Sequence, residues 1–147
     1  MRIEPVEGTI AVEREPSHLY IKEFIPGGFD QDFVSGLVEL TFLPTTPSFV
    51  VLTDIAVSRT TQGTGVGSRL LTRACRWMDA NGLSCWLHAD GNLSGADQTN
   101  TVMTRNANGS VTSRPVYTQA LAEWFERYGW ELIEWVPSGA NMVRSPR

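Results

Sequence analysis

The chain has 147 residues, 41% of them hydrophobic, and a formal net charge of -4. This length suits a single hydrophobic core, so one domain over residues 1–147 is predicted, and the negative charge argues against a nucleic-acid partner. No apolar stretch is long enough to cross a bilayer and the first residues lack the apolar region of a signal peptide, which predicts a cytoplasmic protein without a membrane partner.

Strands are predicted throughout the first third of the chain. Residues 9–15 and 19–25 read as two short strands joined by a turn at Pro16 and Ser17. The segment FVSGLVELTFL fits either a strand or a helix, and its β-branched and aromatic residues together with the following Pro44 favour a strand. The segment SFVVLTDIAV has a nearly continuous apolar run and is predicted to be a strand buried on both faces.

A helix is predicted for residues 66–80, followed by a second buried strand, LSCWLHA. The helix has one apolar stripe, made of Val66, Leu70, Ala74, Trp77 and Met78. It ends at Asn81-Gly82, because glycine favours the conformation that follows a helix. Cys75 in the helix and Cys85 in the strand are predicted to be reduced core residues that bind no metal.

The last third of the chain begins with a polar insertion, residues 91–114. Within it, TVMTR and SVTSR flank NANG, which predicts a small hairpin; the insertion is interpreted as a lid, a dimer arm or a plain loop. PVYTQALAEWFERY predicts an amphipathic helix capped by Gly129, and WELIEWV and ANMVR predict an antiparallel pair around PSG. Strands and helices therefore follow an α/β pattern.

Gly63, Gly65 and Gly67 stand between the strand that ends near Val57 and the helix. Unpaired N–H groups and the helix dipole favour an anion at such a junction, and glycines let a phosphate approach the amides. The pattern predicts a phosphate-binding loop, with a flexible loop as the alternative. It lacks the lysine of a Walker A loop and the spacing of a dinucleotide-binding fingerprint.

The segment LTDIAVSRTTQGTGVGSRLL resembles motif A of the GNAT superfamily of acetyl-CoA-dependent N-acyltransferases, whose signature Q/R-x-x-G-x-G/A is supplied by Gln62, Gly65 and Gly67. ALAEWFERYGWELIEW resembles a later helix and strand of the same family. The resemblance implies the GNAT fold, an α/β fold with a mixed central β-sheet and flanking helices. Family members usually have two helices between the first and second strands, and residues 1–50 leave little room for them, which predicts an abbreviated N-terminal helical cover.

The resemblance implies that acetyl-CoA is the co-substrate and that no metal is needed. Backbone N–H groups from Gln62 to Ser68 would hold the pyrophosphate, and backbone groups of Ile55 and Val57 would run beside the pantetheine. The Val57 amide would also steady the thioester oxygen as it gains charge. The implied cofactor-binding residues are Ile55, Ala56, Val57, Gln62, Gly63, Thr64, Gly65, Val66, Gly67, Ser68 and Phe125.

The implied reaction is direct attack of a primary amine on the thioester in a ternary complex, helped by a base and by an acid that reprotonates the sulfur. His88 occupies the position of a catalytic glutamate in a similar WLEV segment and is the first candidate base, with Asp54 as the second. The alternatives are that His88 is a core histidine and that Asp54 only forms hydrogen bonds at the end of its strand. Phe125 replaces the usual tyrosine acid, so Tyr128, Tyr117 or water is the candidate donor, with core packing as the alternative for both tyrosines.

The missing helices predict an open acceptor groove. Such a groove suits a polypeptide end, a lysine side chain or another large substrate, and a second subunit closing it in a homodimer is the alternative. The predicted acceptor is an amine, either of a small molecule or of a protein N-terminus or lysine. The sequence thus predicts an N-acetyltransferase. A GNAT-fold acyl-CoA-binding module with little or no turnover is the second hypothesis, because Phe125 stands where a tyrosine is expected.

Overall fold

The structure is a computed structural model that describes residues 9–24, 34–57, 65–89, 101–105 and 107–147. These residues form nine strands and two helices. The chain divides into two compact units, Met1–Asn81 and Gly82–Arg147. None of the helices described here is long and apolar enough to cross a membrane.

The first unit contains four neighbouring antiparallel strands. They are β1 (Thr9–Arg14), β2 (His18–Phe24), β3 (Val34–Phe42) and β4 (Phe49–Val57), in the spatial order β1-β2-β3-β4. All four were expected from the sequence, including the strand chosen over a helix at β3. Only residues 15–17 separate β1 from β2, so no helix lies between them, in agreement with the predicted abbreviated cover.

The core of this unit lies on one face of the strands, because side chains alternate between the two faces of a sheet. Its buried strand residues include Leu19, Ile21, Val38, Leu40, Val50 and Leu52. The prediction that β4 is buried on both faces is wrong for its second half, where Thr53, Asp54 and Ala56 are exposed. The second face of the strands carries polar side chains, among them Lys22 and Glu39, which are partly exposed.

A helix, α1 (Val66–Ala80), packs on the buried face of these strands. Its buried residues are Val66, Leu70, Leu71, Ala74, Cys75 and Met78. Gly36 of β3 permits this packing, because a Cβ there would lie 2.6 Å from Val66 Cγ1 and 2.7 Å from Leu70 Cδ1. The helix ends at Asn81 and is followed by Gly82 with φ of +65°, as the sequence predicts.

The second unit contains three neighbouring antiparallel strands and a separate hairpin. The three strands are β5 (Ser84–Ala89), β8 (Glu131–Val136) and β9 (Gly139–Arg144), in the order β5-β9-β8. The hairpin consists of β6 (Thr101–Arg105) and β7 (Val111–Pro115), at the position predicted within the polar insertion. The roles of the insertion as a lid or a dimer arm stay predictions.

The second helix, α2 (Val116–Glu126), starts directly after β7. It ends near Gly129, whose φ of +101° is open to glycine at little cost, so the predicted cap is confirmed. β5 is buried on one face only: Cys85, Leu87 and Ala89 are buried. The fully buried strand predicted for this segment is therefore wrong, because Trp86 and His88 on the alternate face are exposed.

Candidate active site

The first amide groups of α1 precede its first intrahelical hydrogen bond. Its N-cap Gly65 has φ 85° and ψ 9° and makes no side-chain capping hydrogen bond. The Arg69 N–H donates to the Gly65 carbonyl oxygen at 3.0 Å, so the N–H groups of Val66, Gly67 and Ser68 precede the first helical bond. The first turn has no acidic residue. A helix start of this kind favours an anion.

The predicted cofactor-binding residues of the first unit lie at the end of β4 and at the start of α1. Ile55 and Val57 are half-buried at the end of β4, and Ala56 between them is exposed. Gln62, Gly63 and Thr64 lie outside the residues that the structure describes. The unit thus contains both the strand end and the helix start that the motif requires.

A buried ion pair holds the first turn of α1 against β2. Arg69 Nε donates to Glu23 Oε1 at 2.8 Å, and Arg69 Nη2 donates to Glu23 Oε2 at 3.0 Å. Ser35 Oγ lies 3.1 Å from the same Oε2 and also donates to the Glu23 carbonyl oxygen. Glu23 is only 2% exposed, so the bidentate geometry compensates for removing its charge from water.

These contacts favour the ionised form of Glu23. The hydrogen bonds from Arg69 lower the pKa of the Glu23 carboxyl, which its burial alone would raise, and the Ser35 hydrogen bond and the Arg69 charge lower it further. Sequence analysis missed this pair. A signal was present, because Glu23 follows Leu19 and Ile21 at the same two-residue spacing and therefore shares their buried face.

An open, mostly apolar groove of about 320 Å³ lies in the first unit. Its lining residues are Lys22, Val34, Gly36, Leu37, Ala56 and Val57. Lys22, Leu37 and Ala56 are cross-strand neighbours on β2, β3 and β4, so the groove follows one row of the sheet. It includes two of the predicted cofactor-binding residues, Ala56 and Val57. Whether this groove takes the acceptor stays a prediction.

Asp54, the second candidate base, lies in the row of cross-strand neighbours beside the row that the groove follows. It is exposed and stands opposite Glu39 of β3, which in turn stands opposite Tyr20 of β2. Partial burial, with the charges of Glu15 and Glu39, raises the pKa of the Tyr20 phenol, while the Lys22 charge opposes the rise. This face therefore combines carboxylates with a phenol that keeps its proton at neutral pH.

His88, the first candidate base, is an exposed residue of β5 held by two side chains. Its Nδ1 lies 2.7 Å from Asn141 Oδ1, and its Nε2 lies 3.1 Å from Ser138 Oγ. Asn141 Nδ2 donates to Glu134 Oε1 at 3.0 Å. Sequence analysis missed Ser138, Asn141 and Glu134, because these residues come near His88 only through the pairing of β5 with β9 and of β9 with β8.

Phe125 of α2 and Tyr128, which follows the helix, lie in an aromatic cluster of the second unit. Phe125 is 3% exposed, and its ring centroid lies 5.1 Å from that of Trp124 and 5.5 Å from that of Trp130. The Tyr128 ring is half-buried and lies edge-on to Trp124 at 5.5 Å. The side chain of Tyr117 lies outside the described part of the chain. Phe125 is therefore a core residue in this structure, and its predicted cofactor contact is untested.

The described residues contain no group of three or more histidine, cysteine, aspartate and glutamate side chains arranged to hold a metal ion. Cys75 and Cys85 are buried and are not joined in a disulfide bond.

Comparison with known proteins identifies the family. A family model described as "Acetyltransferase (GNAT) family" matches residues 6–96, more than half of the chain. The match includes motif A and extends back through β1 and β2, but it ends before α2. A search of curated proteins found no significant match.

Solved structures similar to this one include several N-acetyltransferases. One is a PaiA N-acetyltransferase from Thermoplasma acidophilum in complex with coenzyme A, with TM-score 0.52 and 15% identity, over 88% of this chain and 61% of that one. A second is an aminoglycoside 6'-N-acetyltransferase complexed with coenzyme A, with TM-score 0.58 and 15% identity, over 90% and 76%. A third is the ribosomal-protein-S18-alanine N-acetyltransferase from Escherichia coli, with TM-score 0.55 and 15% identity, over 90% and 71%.

At this level of identity the structural similarity concerns the fold. The chain spans less than two thirds of the length of the Thermoplasma protein. The seven strands β1–β5, β8 and β9 with two helices have the α/β character of these structures, which confirms the predicted fold class. The family match and the shared fold agree, and the chain belongs to the acetyltransferase (GNAT) family of enzymes.

Proposed function

We propose that this protein transfers an acetyl group from acetyl-CoA to a primary amine by direct attack of the amine on the thioester. The observation that carries the proposal is the start of α1 at the left-handed Gly65, in a chain that belongs to the GNAT family. Among the described residues, no side chain caps this helix start, and the first turn of α1 contains no acidic residue. The CoA complexes of two structural neighbours support the choice of co-substrate.

The residues at the start of α1 fit the pyrophosphate of acetyl-CoA. Among the described atoms, a Cβ on Gly65 would approach only Arg69 Nη1, at 3.3 Å. The N–H groups of Val66, Gly67 and Ser68 would hold the phosphate oxygens, and the β4 backbone at Ile55 and Val57 would follow the pantetheine. Acetyl-CoA supplies the activated acyl group, and this chain binds and orients it.

The acceptor groove is proposed to be the open face along Lys22, Leu37 and Ala56. The nearby carboxylates Asp54 and Glu39 would attract an ammonium ion, the form in which most amines arrive at neutral pH. Structural neighbours include enzymes named for an aminoglycoside and for a ribosomal protein, so small-molecule amines, protein N-termini and lysine side chains all remain candidate acceptors. A homodimer would cover part of this face.

His88 is proposed as the base that takes the proton of the amine, and Tyr128 or water as the donor that reprotonates the sulfur. A neutral imidazole has one nitrogen with an electron pair that can take a proton, and His88 is an exposed residue of β5. Asp54 is the competing base.

Two measurements test the proposal. Calorimetric titration with CoA is expected to give saturable binding, and labelled acetyl-CoA is expected to transfer its acetyl group to at least one member of a panel of aminoglycosides, polyamines and peptides. Folded protein that binds no CoA would contradict the cofactor assignment.

The buried position of Phe125 favours one other function, an acyl-CoA-binding module with little turnover. The phenol that many GNAT members use is absent there, and the ring packs in the aromatic cluster. CoA binding without transfer to any amine on the panel would favour this module over the enzyme.

A further inference from the structure

Four side chains of the second unit form a continuous hydrogen-bonded chain. It runs from Ser138 Oγ to His88 Nε2, from His88 Nδ1 to Asn141 Oδ1, and from Asn141 Nδ2 to Glu134 Oε1. His88, Asn141 and Glu134 come from β5, β9 and β8, and they stand opposite one another in the strand pairing. Ser138 lies in the turn between β8 and β9. We call these four residues the relay.

Glu134 fixes the direction of every hydrogen bond in the relay. An ionised carboxylate can only accept, so Asn141 must turn its NH₂ group towards Glu134 and its oxygen towards His88. That oxygen can also only accept, so His88 Nδ1 must carry a hydrogen. In the neutral imidazole, Nε2 then has the free electron pair, and the Ser138 hydroxyl donates to it.

The relay stays intact when His88 gains a proton. The protonated ring has hydrogens on both nitrogens, and Nδ1 continues to donate to Asn141. Nε2 then becomes a donor, and the Ser138 hydroxyl accepts from it after a rotation of its own O–H bond. No hydrogen bond is lost, so proton uptake needs no movement of the backbone.

The backbone holds Ser138 in place against β5. A two-residue turn, Pro137 and Ser138, connects the paired residues Val136 and Gly139. Gly139 has φ of +157°, and a Cβ there would overlap the Ala89 carbonyl oxygen and lie 3.0 Å from His88 Nε2. Only glycine permits this close approach, which brings the Ser138 hydroxyl to the ring.

We infer that Ser138, Asn141 and Glu134 are positioning residues for His88: they hold its neutral ring with the hydrogen on Nδ1 and the electron pair on Nε2, and they keep the same ring orientation when Nε2 takes a proton. This inference rests on the proposed acetyl transfer. As the amine nitrogen forms its bond to the acetyl carbon, the carbon–sulfur bond breaks and its electron pair leaves with the sulfur. The amine proton moves to His88 Nε2, the Ser138 hydroxyl turns to accept from the new N–H, and the imidazolium then returns its proton to the thiolate through water.

The tautomer of His88 can be measured without turnover. The chain has two histidines, His18 and His88, so ¹⁵N-histidine labelling gives two imidazole spin systems, with His18 in the first unit as the internal reference. The nitrogen shifts of His88 in neutral form are expected to show the hydrogen on Nδ1. Glu134→Gln frees the Asn141 amide to flip, and is expected to move the population towards the Nε2–H tautomer. The control Glu131→Gln, on the same strand but opposite Val143, is expected to leave it unchanged.

Kinetics with an amine accepted from the panel test the role of Ser138. Ser138→Ala is expected to lower kcat by about tenfold or more with little change in the KM for acetyl-CoA, and Ser138→Thr, which keeps the hydroxyl, is expected to restore most of the rate. A wild-type Nε2–H tautomer, or equal rates for the alanine variant and the parent, would overturn the inference. If no amine reacts, the proposed function is contradicted and the relay has no role in acetyl transfer. The tautomer of His88 is measured separately, by its nitrogen shifts.

Discussion

Phe125 places a ring without a hydroxyl where many members of the family have a tyrosine. The ring is buried between Trp124 and Trp130, so this position stabilises the end of α2. Sequence analysis found that Phe125 replaces the usual tyrosine but could not decide what the phenylalanine does. The packing explains it, because a hydroxyl in this cluster would lose water and would need a partner.

His88 and Asp54 can be distinguished by single substitutions. His88→Ala is expected to lower kcat by about a hundredfold or more, because the base is removed, with acetyl-CoA affinity unchanged. Asp54→Asn, which tests the competing base, is expected to keep kcat within about threefold of the parent value. Steady-state kinetics and CoA titration on both variants check the assignment. If His88→Ala keeps the parental kcat and Asp54→Asn lowers it, Asp54 is the base.

Among the elements, the helices were the easiest to predict. α1 has its predicted bounds because an apolar stripe and the Asn81-Gly82 ending both point to the same limits. β4 and β5 were predicted as strands, but an apolar run does not tell how many faces are covered. Trp86 and Ala56 belong to such runs and are exposed.

The start of α1 gives a test of cofactor binding at the scale of one element. Gly65→Ala is expected to weaken CoA binding by about tenfold or more, because the methyl group stands before the first amide groups and strains the left-handed backbone. Gly82→Ala is the matched control at the other end of the helix, with φ of +65° and open space around the position. It carries a similar backbone strain of about 1 kcal/mol but is expected to leave CoA affinity unchanged. Calorimetry on both folded variants measures the difference, and equal affinities would contradict the proposed cradle.

Across the whole molecule, contacts distant in sequence were the ones that sequence analysis did not find. His88 and Asn141 are 53 residues apart, and Glu23 and Arg69 are 46 apart. Finding either pair requires the strand order and register or the placement of α1, which local patterns do not contain. The glycine motif and the candidate base were accessible because each lies within one short segment.

Acid is expected to weaken the fold through Glu23. The pKa of this carboxyl is lowered in the folded protein, so its contribution to the free energy of unfolding is complete above its ordinary value of about 4.5 and is lost as pH falls through the lowered value. At neutral pH, Glu23→Gln is expected to cost about 2 kcal/mol, because Arg69 loses its buried counter-charge. The difference between parent and variant is expected to shrink below about pH 4.5.

Urea unfolding of parent and variant at a series of pH values measures this difference, and other titrating groups cancel because both proteins contain them. The control Glu13→Gln removes the ion pair with Lys22, in which the Glu13 side chain is 51% exposed. It is expected to change stability at neutral pH by less than about 1 kcal/mol, since solvent screens such a pair. A Glu23→Gln difference that stays constant into acid would mean that the carboxyl keeps its ordinary pKa, and that its ion pair with Arg69 does not hold α1 on β2.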